Sequence, residues 1–216
     1  MIIDLSKTNS VFNDFLAEVR DQNIQKDRMR FRRNLERTSE IFAYEISKKL
    51  EYTEKEIQTP LGINQTFVLN EQPVIASILR AGLPMHQGLL NIFDHADNAF
   101  ISAYRKYEKD GQFDIKLEYA SCPNLDDRTL IVTDPMLATG ASLELTIKAL
   151  SKFGTPKHIH IIILIASKEG VAFLKKRLKL VDYTLWVGAI DDELTVKSYI
   201  VPGLGDAGDL AFGEKE

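Results

Sequence analysis

Between Thr129 and Leu150 the sequence narrows the available folds more sharply than anywhere else in the chain. Leu130, Ile131 and Val132 form a short apolar run with β-branched residues, as expected of a strand buried on both faces. Asp134 falls at its carboxyl end. Pro135 has no N–H to give a ladder, so the strand is expected to stop there. Small residues follow: Ala138, Thr139, Gly140, Ala141 and Ser142. Apolar positions then return at 143, 147 and 150, which is helical spacing. The unit reads strand, small-residue turn, helix.

Such a turn can hold an anion. The first N–H groups of a helix have no intrahelical partner and point into the turn before it. Gly140 lets the backbone approach closely, and the hydroxyls of Thr139 and Ser142 can add hydrogen bonds. Asp134 would repel a phosphate but suits sugar hydroxyls or a metal-bound water beside it. Phosphate on one side and a carboxylate for a diol on the other imply a phosphorylated ribose. The competing reading is an ordinary strand–helix turn capped by Ser or Thr.

Residues 134–142, Asp-Pro-Met-Leu-Ala-Thr-Gly-Ala-Ser, resemble the phosphoribosyl-pyrophosphate (PRPP) loop of the type I phosphoribosyltransferases. Among these they most resemble the uracil phosphoribosyltransferase form. The resemblance implies PRPP contacts from Asp134, Pro135, Met136, Leu137, Ala138, Thr139, Gly140, Ala141 and Ser142. It also implies the α/β type I phosphoribosyltransferase fold: a mostly parallel five-stranded sheet flanked by helices, with a hood and a β-arm.

The rest of the chain is consistent with this. Its 216 residues are expected to form a single domain: N-terminal helices and arm over about 1–72, a PRPP-binding core over about 73–190, and a C-terminal uracil-binding loop over about 191–216. The net charge of −4 provides no global basic field for nucleic acid. The single Cys122 excludes an intrachain disulfide framework and suits a cytoplasmic location. No apolar run is long enough to span a bilayer, and no signal peptide is expected.

In chain order, residues 11–24 carry a helical apolar stripe. Lys26–Arg37 is basic and runs into a second stripe through Leu35, Phe42, Ile46 and Leu50. Charge runs of this kind are usually solvated faces or subunit contacts. The segment resembles the family's Arg-rich helix near the dimer interface. Tyr52–Asn70 reads as a hairpin around Pro60-Leu61-Gly62, which in the family is an arm reaching to the partner subunit. From Pro73, strands at 74–79, 98–104, 130–132, 159–166 and 181–190 alternate with helices at 84–93, 143–150 and 169–179. Lys109–Leu117 is read as a flexible polar stretch. His86 and His95 are read as helix-surface residues. His158 and His160 alternate on one strand face and are read as packed or surface residues, since no third metal ligand has useful spacing.

Ligands of such sheets gather at the carboxyl ends of the strands, where Arg80, Arg105 and Asp134 fall. Ile78-Leu-Arg-Ala-Gly82 resembles the family's pyrophosphate loop, which assigns Arg80 to pyrophosphate. Arg105 matches the Arg that opens the family's flexible catalytic loop. Tyr199–Asp209 contains a formal G-x-G-x-x-G, but a dinucleotide fingerprint needs a helix and then an acidic residue about 20 positions on, and the chain ends at Glu216. These glycines are instead expected to shape a loop with bare backbone. The stretch is similar to the family's uracil-binding segment, implying backbone contacts from Ile200, Gly205 and Ala207, with Asp206 near base and PRPP. Ala141, Leu210 and Glu214 depart from the family pattern. Ala141 is tolerable only if it keeps negative φ.

The resemblance implies an enzyme that transfers the phosphoribosyl group of PRPP to uracil N1, giving UMP and pyrophosphate. Arg80, Arg105, Asp134 and Asp206 are its expected catalytic residues. Mg²⁺ is the expected cofactor, held mainly through PRPP with no direct protein ligand. A homodimer or higher homo-oligomer is expected, with no nucleic-acid or membrane partner; activation by a nucleotide such as GTP is left open. Two alternatives are a PRPP- or nucleotide-sensing RNA-binding regulator using Lys26–Arg37, and transfer to another base.

Overall fold

The computed structural model describes the backbone of residues 1–107 and 113–214, and side chains outside 103–118. The strands, in chain order, are β1 (Ile2–Asp4), β2 (Tyr52–Thr59), β3 (Gly62–Leu69), β4 (Val74–Leu79), β5 (Asp97–Tyr107), β6 (Phe113–Ser121), β7 (Thr129–Leu137), β8 (His158–Ser167), β9 (Tyr183–Asp191), β10 (Glu193–Leu194) and β11 (Ile200–Val201). The α-helices are α1 (Val11–Arg20), α2 (Arg28–Ser47), α3 (Leu83–Leu90), α4 (Ala141–Leu150), α5 (Lys168–Arg177) and α6 (Ala207–Phe212).

The main sheet has seven strands in the order β1-β9-β8-β7-β4-β5-β6. It is parallel except for β6, which runs antiparallel to β5. The five expected strands are its centre; β1 and β6 extend it at the edges. The order reverses between β7 and β4, the kind of switch point where open α/β sheets bind ligands. Both faces are buried, and the side chains alternate between them. Ile131 joins the core under α1, α2 and α3, whereas Leu130 and Val132 join the core under α4 and α5. Fully buried Phe31, Leu35, Phe42 and Ile46 put one stripe of α2 into the first core, each contributing about 1.5–3 kcal/mol of apolar burial.

Three expectations are corrected here. Pro135 does not end its strand. The β4 ladder stops at Thr133, but pairing with β8 continues through Asp134↔Ile163 and Met136↔Ile165. Pro135 therefore lies where the strand has only one neighbour, and the pairing with β8 skips Pro135 itself and resumes at Met136. Second, Phe113–Ser121 is a strand rather than part of a flexible stretch, and Arg105 lies within β5, in register with Ile115; residues 108–112 lie outside the described part. Third, His86 is buried rather than on a helix surface. Its helix is wedged between the sheet and α2, so closely that a Cβ at Gly88 would sit 2.2 Å from the Glu36 carbonyl oxygen. Asn98 Nδ2 donates to the Ala96 carbonyl, so its Oδ1 accepts from His86 Nε2 at 2.7 Å. Burial holds the imidazole below its usual pKa.

The 52–70 segment is the expected hairpin. β2 and β3 pair from Tyr52↔Leu69 to Thr59↔Gly62, and the Thr59 hydroxyl accepts from Leu61 and Gly62 N–H to close the turn. Most of the hairpin is exposed, including Leu61, Ile63 and Phe67.

Candidate active site

Three segments meet beyond the carboxyl ends of β4, β7 and β9. The first is the Arg80-Ala81-Gly82 turn after β4. Gly82 N–H donates to Ile78 O at 3.0 Å, and a Cβ on Gly82 would lie 2.7 Å from Ile78 O and Ser77 Oγ and 2.9 Å from Thr133 O. Only glycine fits this close approach to both strands. The turn directs Arg80 toward the C-terminal segment. Arg80 Nη2 is 3.2 Å from Asp209 Oδ1 and donates to Gly213 O at 3.3 Å, and its buried Nε has no partner among the described residues.

The second segment follows β7. Gly140 adopts φ +86°, and α4 begins at Ala141. Ala141 is the first helical residue and keeps negative φ, so its methyl group is tolerated. No side chain caps α4, in contrast to the Ser10, Asp27 and Ser167 oxygens that cap α1, α2 and α5. Neither the Thr139 nor the Ser142 hydroxyl hydrogen bonds within the described residues, and both residues are half-buried. The Ser or Thr cap of an ordinary turn is thus missing, and the first N–H groups of the helix have no side-chain partner among the described residues. The turn is held from behind: Ser167 Oγ donates to Ala138 O at 2.6 Å, and a Cβ on Gly170 would meet that oxygen at 2.4 Å.

The third segment runs from Ile200 to Gly213. It is not the plain loop expected from its glycines, because it ends in the short helix α6. Asp206 caps that helix, accepting from Asp209 N–H at 3.0 Å. Ile200 is in the core and pairs with Leu194. Gly205, at φ +97°, is exposed, and a Cβ there would find only Leu210 at 3.9 Å. Ala207 and Gly208 are buried. A Cβ on Gly208 would lie 3.2 Å from Asp206 Oδ1 and 3.7 Å from Arg80 Nη2, so the first and third segments share one wall.

Asp134 lies among these groups. Burial, reinforced by the Asp206 charge, pushes its carboxyl up to about 7 against a single N–H donation from Met136 at 3.3 Å. The Asp206 charge is close enough to disfavour ionisation of Asp134, so the surroundings of Asp134 favour positive charge or hydroxyl donors. Arg80, Asp134, the 138–142 turn and Asp206 are therefore brought together. The Arg105 side chain lies outside the described residues. Asp209, the carboxylate on Arg80, was missed from sequence; it lies three residues after Asp206, at cap spacing. The arginines of α2 were also underread. Arg32 donates to Ala211 O at 2.7 Å and lies over the Phe212 ring, while Arg30 pairs with Glu18 and Arg33 with Glu36.

Another cavity, of about 460 Å³, opens at the opposite end of the sheet among Leu50, Thr129, Lys157, His158, His160, Thr184 and Trp186. His158 and His160 are packed there, as expected: Trp186 Nε1 donates to His160 Nδ1 at 3.1 Å, and His158 contacts Asp182 and Thr184. Among the described residues, no group of three or more His, Cys, Asp or Glu could hold a metal, and no helix is long and apolar enough to cross a membrane.

Comparison with known proteins gives the same picture over the whole chain. A family model described as uracil phosphoribosyltransferase matches residues 6–214. A uracil phosphoribosyltransferase of Porphyromonas gingivalis is 52% identical over 214 residues, covering 99% of each chain. One from Thermococcus gammatolerans is 37% identical over 203 residues, covering 93% of this chain and 88% of its own. A solved structure of an Aquifex aeolicus protein superposes with a TM-score of 0.87 at 29% identity, covering 99% of this chain and 98% of that one. The chain belongs to the uracil phosphoribosyltransferase family.

Proposed function

We propose that this chain transfers the 5-phosphoribosyl group of PRPP to uracil N1, releasing pyrophosphate and UMP. The observation that carries the reading is the uncapped N-terminus of α4 behind Gly140, on the turn that follows Asp134, whose charge is coupled to that of Asp206, with Arg80 beside the Asp206 segment. The N–H groups of residues 141–142 and the free hydroxyls of Thr139 and Ser142 bind the 5′-phosphate. Pro135, Met136, Leu137 and Ala138 line the approach. Asp134 accepts from the ribose hydroxyls. Arg80 and Arg105 take the charge that builds on pyrophosphate as the anomeric carbon gains oxocarbenium character. Uracil lies against the backbone of Ile200, Gly205 and Ala207, with Asp206 between base and sugar.

The donor set fits Mg²⁺. Asp134 and Asp206 offer hard oxygens, and the Asp206 charge disfavours ionisation of Asp134, surroundings that a hydrated divalent cation carried by PRPP would relieve. When bound, that cation neutralises leaving-group charge. The enzyme acts in the cytoplasm as a homo-oligomer, in which the exposed Leu61, Ile63 and Phe67 of the hairpin bury against a second copy.

Purified protein is incubated with Mg²⁺, PRPP and either uracil, cytosine or hypoxanthine, and nucleotide and pyrophosphate are measured. UMP from uracil alone, lost in Asp134→Ala, is the expected result. Product from another base, or none at all, overturns the assignment.

A further inference from the structure

Within the stretch assigned to uracil, Gly203 is gripped on both its polar groups, and the groups that hold it have no place in the reaction as proposed. Asp191, at the carboxyl end of β9, is buried. Arg20 ends α1. Arg20 Nη1 and Nη2 donate to the two Asp191 oxygens, both at 2.8 Å, a two-pronged ion pair. Arg20 Nη1 also donates to Gly203 O at 2.9 Å, and Gly203 N–H donates to Asp191 Oδ2 at 2.8 Å. Both polar groups of one residue are thus engaged by a single ion pair. Gly203 holds φ +56°, and a Cβ there would lie 2.2 Å from Ile200 O. Just beyond α1, the Gln25 amide, oriented with its nitrogen toward acceptors, donates to Leu204 O at 2.8 Å and Val19 O at 3.0 Å.

We infer that Arg20 and Asp191 are positioning residues for base recognition: they fix Gly203 so that the bare backbone from Ile200 to Ala207 is presented in one geometry. This rests on the proposed assignment of that backbone to uracil. Between Gly203 and the Asp206 cap, Gly205 is exposed and scarcely packed. Without an anchor at Gly203 this span has the freedom to misplace its N–H and C=O groups. An enzyme that reads a heterocycle by backbone needs those groups placed to within about half an ångström. The PRPP half of the site stands on the paired strands β4 and β7, and among the described residues the Arg20 and Asp191 side chains make no hydrogen bond to it. Loosening the anchor therefore weakens base binding selectively.

Steady-state kinetics of Arg20→Ala, Arg20→Lys and Asp191→Asn test the inference, with amide hydrogen exchange followed over residues 199–209. Arg20→Ala is expected to raise KM for uracil about tenfold or more while KM for PRPP stays within about threefold. Arg20→Lys, whose single ammonium cannot satisfy Asp191 and Gly203 O in the same fork geometry, gives an intermediate value. All three variants exchange faster over 199–209. Should Arg20→Ala fail to fold, the two near-isosteric variants decide. Equal changes in both KM values, or a fall in kcat that only follows the folded fraction with unchanged loop exchange, overturn the inference. Asp206→Asn, measured alongside, separates the two levels. If Asp206→Asn raises KM for uracil and Arg20→Lys does not, the anchoring role is wrong. If neither does, the assignment of the loop to uracil is wrong too.

Discussion

The two ends of the parallel sheet offer opposite lessons about what makes a site. At the amino end lies a roomy cavity with two histidines, a tryptophan and lysines, yet its polar groups are largely engaged within the chain. Trp186 is bonded to His160, His158 to Asp182, and Lys157 to Glu51. Burial and the neighbouring His158 push His160 down to about 4, so it stays neutral at physiological pH. At the carboxyl end the polar groups satisfy one another only in part. The charge of Asp206 bears on a buried Asp134, the Arg80 Nε lacks a partner among the described residues, and a helix begins without a side-chain cap. Volume marks the first region; unmet polarity marks the second, and ligands of matching charge are what such polarity stabilises.

Substitutions at the two ends can break or sharpen this contrast. The largest effect is expected from Asp134→Ala, which removes the carboxylate proposed to accept from the ribose hydroxyls and should lower kcat/KM for UMP formation by about 10²–10³-fold. Arg80→Ala should cost about 10²-fold, with KM for PRPP raised, if Arg80 is the cation for the leaving pyrophosphate as proposed. Gly140→Ala places a methyl at φ +86°, where it would sit 2.8 Å from Phe173. It should destabilise the protein by about 1–3 kcal/mol in chemical denaturation and weaken PRPP binding.

Asp134 also makes a pH prediction. Its folded pKa, about 7, lies above its ordinary value of 3.8, so between these values the folded state binds more protons than the unfolded one. Stability from this group is fully present below the unfolded pKa and is lost as pH rises through the folded value. Asp134→Asn should therefore melt above wild type at pH 8 while losing activity, and the gap in Tm should close toward pH 4. A variant that melts lower at pH 8 would show that the carboxylate is stabilised rather than strained. The smallest effect belongs to the amino end. His158→Ala should leave kcat and both KM values unchanged, with a stability change of about 1 kcal/mol or less. A change in KM there would erase the distinction between the two ends.

Much of the carboxyl-end site was legible because its parts are local. Residues 78–82 and 134–142 each combine a strand end, a turn and a helix start in one short string, and neighbouring strands bring the strings together. The Arg20–Asp191–Gly203 contacts were not legible, since nothing near Arg20 in sequence marks its partner. β1 is too short to show a period, and its role comes entirely from pairing with β9. Phe113–Tyr119 does alternate apolar and polar residues, the strand signal, but its charges obscured it. His86 was misread because a helix buried on two sides has no polar face against which to judge a histidine.

The hold on Gly203 has a consequence for the order in which the site is assembled. Arg20 and Gly203 are 183 residues apart, so their contact closes a loop nearly as long as the chain, and such closures carry a large entropic cost before any contact compensates it. The phosphate turn needs only its own strand, the following helix and adjacent strands. During refolding, amides of residues 134–142 are thus expected to gain protection before those of 200–207. A sugar-phosphate platform would exist before there is a place for the base, and selectivity for the heterocycle would be the last property the molecule acquires.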